Sequence, residues 1–131
     1  MQQPAVAERA RWDNVIMIVF NRGIPENGRK PKYQRGQIVR HKRYGYRGVI
    51  VDFDLECLAD EQWYQSNQSQ PGRSQPWYHV LVHDTDGTTY AAQENLQEDK
   101  SGRPVAHPLI ARFFSRFVDG RHIRNDQRWP L

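Results

Sequence analysis

The sequence predicts a mainly β fold, a small and strongly bent sheet or barrel with a short C-terminal helix and an N-terminal extension. Three observations predict it. Four short runs are rich in β-branched and aromatic residues, glycine-bearing turns join them in pairs, and one apolar stripe at helical spacing follows near the C-terminal end. Nothing repeats along the chain, and no strand–helix–strand alternation suggests a parallel sheet.

Taken in order, residues 1–32 read as the extension. The stretch from Asn21 to Pro31 contains Gly23, Pro25, Asn27, Gly28 and Pro31, a cluster of chain breakers with little apolar content. Val15–Phe20, just before it, suits either a short strand or a helical turn, and this arm is expected to be poorly ordered, or ordered only against a partner. The domain proper is expected over residues 33–118. Gln37–His41 reads as a first strand, and Tyr44-Gly45-Tyr46-Arg47-Gly48 as a tight turn using both glycines. A second strand, Val49–Asp54, places Val49, Val51 and Phe53 on one face and Ile50, Asp52 and Asp54 on the other. Leu55–Gln75 is a long polar connection, of a kind that often carries function. Trp77–Asp84 and Thr88–Ala91 are strands three and four around a Thr85-Asp86-Gly87 hairpin turn, and Glu94–Leu96 is a single-turn connector. The helix is predicted over His107–Phe117, with Pro108 in its first turn and Leu109, Phe113 and Phe117 in one stripe; Gly120 stops it. Residues 119–131 form a basic tail.

The 131 residues suffice for one core, and 37% hydrophobic content leaves part of the chain outside it. The longest apolar run is the six residues Val15–Phe20, against about 20 for a membrane-spanning helix, so no membrane is expected. That run is also too short and too closely flanked by charge for an export signal, and the single Cys57 has no disulfide partner; a reducing cytoplasm is the expected compartment. The net charge of +4 is unevenly spread. Eight cations and no acid lie between Arg29 and Arg47, whereas Asp52, Asp54, Glu56, Asp60 and Glu61 follow at once. A one-signed stretch of this kind attracts a polyanion; the alternative is an arginine-rich solvated surface.

Catalytic and metal chemistry find little support. Cys57 sits among carboxylates, which disfavour its thiolate. His79 and His83 share a strand face but stand roughly 13 Å apart there, too far to hold one metal ion. No P-loop or dinucleotide-binding glycine motif is present. The protein is expected to act by binding, without catalysis, cofactor or metal. Tyr33 and the set Arg35, Arg40, Lys42, Arg43, Tyr44, Tyr46 and Arg47 interleave rings with cations through the first strand and its turn, as nucleic-acid sites do when cations meet phosphates and rings stack on bases. The competing reading packs the tyrosines against the sheet and leaves the cations as exposed neighbours. His41 reads as a buried or half-buried strand histidine. For protein contacts, Trp63 and Tyr64 in the long connection and Trp77 on the outer face of its strand are the candidates, with the Leu109/Phe113/Phe117 stripe assigned to the core.

Four segments in order carry a family resemblance: Gly36-Gln37-Ile38-Val39-Arg40-His41, Gly45-Tyr46-Arg47-Gly48-Val49-Ile50-Val51-Asp52, Pro76-Trp77-Tyr78-His79-Val80-Leu81-Val82 and Tyr90-Ala91-Ala92-Gln93-Glu94-Asn95-Leu96. Over about residues 33–117 the chain resembles the YccV-like, or HspQ-like, hemimethylated-DNA-binding domain family, which includes a heat shock protein. His107-Pro108 with Phe113-Phe114 resembles the close of this domain in relatives that include an F-box protein and plastid protease adaptors. The resemblance implies an SH3-like bent β-barrel. It also implies two roles: binding duplex DNA, hemimethylated in particular, or serving as an adaptor for an ATP-dependent protease of Lon or Clp type. The N-terminal arm and the tail bearing Arg124, Arg128 and Trp129 depart from the compact members of that family.

Overall fold

The computed structural model describes residues 30–67 and 70–130. The expectations for the first 29 residues, including Val15–Phe20, lie outside the described residues. From Pro31 onward the chain forms one compact unit.

Five strands make one antiparallel sheet: β1 (Ile38–His41), β2 (Arg47–Asp54), β3 (Trp77–Val82), β4 (Thr88–Ala92) and β5 (Leu96–Glu98), in the spatial order β4-β3-β2-β1-β5. The mainly β expectation is met, with a fifth strand that the sequence reading took for the end of a connector. β4 and β5 are the two edges, yet only the 3-10 turn Gln93–Asn95 separates them in sequence. In a flat sheet those edges would stand about 19 Å apart, at about 4.8 Å per strand interval. Four Cα–Cα steps from Ala92 to Leu96 reach at most about 14 Å even when fully extended. The sheet must therefore curl until its edges approach. Among the described residues no β4–β5 ladder closes the curl, so the strands form a bent open sheet rather than a hydrogen-bonded ring.

Both faces of this sheet are buried. Tyr33, Val39, Ile50, Tyr78, Val80, Ala91 and Leu96 fill one side. On the other, Ile38, Val49, Val51 and Leu81 meet Val105, Phe113 and Phe114. The expected placement of Phe53 beside Val49 and Val51 is corrected: the β2–β3 register shifts between Ile50 and Asp52, and Phe53 packs with Ile50's cluster. One inserted residue reverses the parity of everything after it, which is how a bulge re-aims side chains. Gly48 also differs from expectation. It lies inside β2, where an added Cβ would collide with the Val80 side chain and the Leu81 carbonyl, while Gly45 alone of the pair takes a left-handed φ of 77°.

The predicted helix over 107–117 is the largest correction. One helical turn, α2 (Ile110–Phe113), leads straight into β6 (Phe114–Val118), which pairs with β7 (Arg121–Arg124). Asp119 and Gly120 join them at φ of 52° and 82°, the positive pair a two-residue hairpin requires. The apolar stripe is still used for packing: Phe113 is fully buried, and Leu109 and Phe117 lie against the same cluster. Residues 121–124, assigned to a tail by sequence, are thus a strand. Arg124 ties it down, its Nε donating to the Val51 carbonyl (2.8 Å) and its guanidinium to the Phe113 carbonyl (3.2 Å). Gly36 completes the junction with backbone bonds to Ile50 and His122, at a φ of 92° and with His122's carbonyl where a Cβ would stand.

A short helix, α1 (Glu61–Ser66), occupies the long connection. Asp60 caps it, its carboxylate accepting the Trp63 N–H at 2.8 Å. No helix among the described residues is long and apolar enough to cross a membrane.

Candidate functional site

The β1–β2 turn is built around His41. The β-ladder puts this side chain at 4% exposure, and its Nδ1 accepts the backbone N–H groups of both Arg43 and Tyr44 at 3.1 Å. Burial, with the Arg43 charge adding to it, pushes its pKa below the ordinary histidine value, so the ring is neutral and Nδ1 keeps its lone pair. Tyr44 stacks on one side of the ring at 4.7 Å and Tyr46 lies tilted at 5.1 Å. The Gly45 N–H returns to the His41 carbonyl, the Lys42 N–H to the Asn95 carbonyl, and the Tyr46 hydroxyl bonds the Thr89 hydroxyl at 2.8 Å. The turn is therefore a rigid platform, with Lys42, Arg43 and Tyr44 exposed at its tip.

The predicted cations divide sharply. Lys42 and Arg43 pair with no carboxylate among the described residues, and Arg43 lies 5.5 Å from the centre of the Tyr44 ring. Arg35 is held by Asp52 at 2.9 Å and covers the Phe53 ring. Arg40 bonds the Gly45 carbonyl and reaches Asp99 at 3.4 Å. Arg47 is corrected outright as a surface contact: its side chain is only 6% exposed and is paired with the equally buried Asp99 at 3.1 Å. Burial by itself raises the Asp99 pKa, but the Ser101 hydroxyl, Arg47 and Arg40 outweigh it and hold the carboxyl below its ordinary value.

Of the three protein-contact candidates, Trp63 remains exposed, at 38%. Tyr64 is half-buried, its hydroxyl donating to the Pro71 carbonyl and its ring covered by Arg73. Trp77 is not on an outer face at all. It is fully buried with Cys57 and Ala92, and its indole N–H donates to the Gly72 carbonyl. His79 and His83 serve separate ends of the fold: His79 bonds Asp54, while His83 accepts the Ala106 N–H.

The His41 turn, α1 and the β3–β4 hairpin enclose a pocket of about 500 Å³ that sequence reasoning missed. Tyr44, Tyr46, Trp63, His79 and Tyr90 supply ring walls, and Thr88, Thr89 and Asn95 supply neutral polar groups. Tyr90 and His79 are directly cross-strand, stacked at 4.5 Å, and both bond the Asp54 carboxylate. Burial first, and then the Asp54 carboxylate, push the Tyr90 pKa up, so it stays a phenol. The signal was available in part. A turn at Thr85–Gly87 fixes a register in which residues 79 and 90 face each other.

A compact, mainly antiparallel domain that presents two cations with no carboxylate partner among the described residues, beside a ring-lined pocket, has the form of a recognition module. A family model described as "Hemimethylated DNA-binding protein YccV like" matches residues 31–121, and the chain belongs to this family. It is 40% identical over 111 residues to F-box only protein 21 of Homo sapiens and to that of Pongo abelii, and 39% identical to that of Mus musculus. Each alignment covers 80% of this chain and 18% of the relative, so the chain spans under a fifth of the length of these proteins.

Proposed function

We propose that this domain is a non-catalytic binder of duplex DNA, with hemimethylated duplex as its preferred form, and that its curled sheet is a variant of the SH3-like bent barrel. The observation that carries the reading is the His41 platform, whose hydrogen-bonded backbone carries the exposed Lys42 and Arg43, without a carboxylate partner among the described residues, next to the exposed Tyr44 ring. Ordering these residues in advance lowers the entropic cost of gripping a phosphate backbone. Family membership supports the same reading. Cys57 is buried against Trp77 and Ala92, which suits a structural thiol in a reducing, cytoplasmic setting rather than a nucleophile.

Binding to hemimethylated and unmethylated duplexes, followed by fluorescence anisotropy across a salt series, tests this. Lys42→Ala and Arg43→Ala should each reduce the slope of log K against log salt by about 0.9. Arg47→Ala should leave that slope unchanged. A slope insensitive to both turn cations would refute the interface. The exposed indole of Trp63 favours a second reading, docking of a protein as an adaptor for an ATP-dependent protease. That reading expects no salt-dependent DNA binding and faster degradation of a protease substrate in the chain's presence.

A further inference from the structure

We infer that the pocket between the His41 turn, α1 and the β3–β4 hairpin receives a single nucleobase turned out of the DNA stack. This rests on the DNA reading above and assigns the step at which a base is inspected. The walls are the rings of Tyr44, Tyr46, Trp63, His79 and Tyr90, and among the described residues no lysine, arginine, aspartate or glutamate lines the space. Aromatic walls accept a flat ligand by stacking. The hydroxyls of Thr88 and Thr89 and the amide of Asn95 offer donors and acceptors suited to a base edge. The volume of about 500 Å³ falls within the range of roughly 300–1,000 Å³ typical of small-molecule sites.

Charge selects among the possible occupants. A methylated ammonium would find rings, but the half-buried Asp54 carboxylate behind His79 and Tyr90 is already engaged by the Tyr90 hydroxyl and His79. On the α1 side Glu61 is engaged by Arg73 and Gln65. Lys42 and Arg43, on the same turn as Tyr44, repel a cation and attract a phosphate. A free anion would find no lysine or arginine among the described residues that line it. A neutral planar group carried on a polyanion satisfies both the pocket and its rim, and a nucleobase is that group. A pocket also gives a chemical mark on a base something to be measured against, which the cationic turn cannot do, since phosphate contacts carry no base information.

The test uses the full chain and three duplexes of one sequence: fully paired, one with a single base opposite an abasic position, and one abasic on both strands at that pair. An unopposed base needs no unpairing, so the second duplex should bind on the order of tenfold or more tightly than the first. The third should lose that gain, because the base itself is gone. Trp63→Ala should reduce binding of the second duplex to the level of the third, and Lys42→Ala should weaken all three alike. Tyr44→Ala, at a residue 53% exposed, repeats the measurement should Trp63→Ala fail to fold by circular dichroism. Equal binding of the second and third duplexes overturns the pocket while leaving the DNA reading intact. Binding to none of the three overturns both, and capture of a tryptophan-bearing peptide in that case assigns the pocket to protein docking.

Discussion

Replacing Arg47 by alanine is expected to unfold the domain far more readily while sparing its DNA contacts. The Arg47 and Asp99 side chains are 6% and 3% exposed and meet at 3.1 Å, so removing one leaves the other charged in a poorly solvated place. Breaking such a pair costs about 3–5 kcal/mol. Arg40 still reaches the other Asp99 oxygen at 3.4 Å, which places the expected loss near the lower end, about 3 kcal/mol. Natural domains hold only about 5–15 kcal/mol in total. At about 4–8 °C per kcal/mol for a domain of this size, the melting temperature should fall by about 12 °C or more. Urea unfolding followed by tryptophan fluorescence at pH 7 measures it, with Lys42→Ala as an exposed control expected within about 0.5 kcal/mol of the parent. The Asp99 pKa is depressed in the fold, so its contribution is complete above the ordinary value of 3.8 and is lost as pH falls through the folded value. The gap between parent and variant should therefore close in strong acid. A loss under about 1 kcal/mol for Arg47→Ala, accompanied by a weaker salt slope in DNA binding, would refute the buried-pair argument and return Arg47 to the interface.

His41 and His122 are both depressed below 6.5, chiefly by burial and then by Arg43 and Arg47 respectively; through a lone pair His41 accepts two backbone N–H groups and His122 one. The unfolded chain thus takes up protons first, and stability should decline as pH drops below 6.5, a trend that urea titrations at pH 7.5 and 5.5 will read and that His41→Asn should flatten. Gly36→Ala must place a Cβ on the His122 carbonyl at a left-handed φ, and a loss of at least about 1–3 kcal/mol is expected by thermal denaturation. Trp77→Ala should cost about 3–5 kcal/mol as a core deletion, and a folded, stable Trp77→Ala protein would contradict its burial.

The strands were legible where local pattern and turn chemistry agreed. β1, β2, β3 and β4 follow runs of β-branched and aromatic residues set off by turn residues, and the curl follows from a connector too short for a flat sheet. What stayed hidden depends on partners distant in sequence. Phe113 and Phe114 are adjacent and Phe117 sits at helical spacing from Phe113, so periodicity favoured a helix. The pairing with Arg121–Arg124 overrode it, although Asp119-Gly120 is itself a hairpin signal. The acceptor for Arg47 lies 52 residues away, at Asp99, and no local rule distinguishes a cation so buried from Lys42 beside it in the same basic run. Likewise Trp77 looked solvent-facing only because the cover supplied by α1 and the Gly72–Ala92 surroundings could not be read from its own strand.

The ladder of rings Phe113, Trp129, His79 and Tyr90 bears on how the molecule should be cut for experiments. A fragment trimmed at residue 121, where the family match stops, would sever β7 at its first residue and discard the Arg124 clamp and the indole of Trp129. Such a truncate should expose Phe113 and aggregate, whereas one ending at Pro130 retains the Arg124 hydrogen bonds and the Trp129 ring contacts that seal that side. Recombinant boundaries for this chain are better drawn from its hydrogen bonds than from the edges of an alignment.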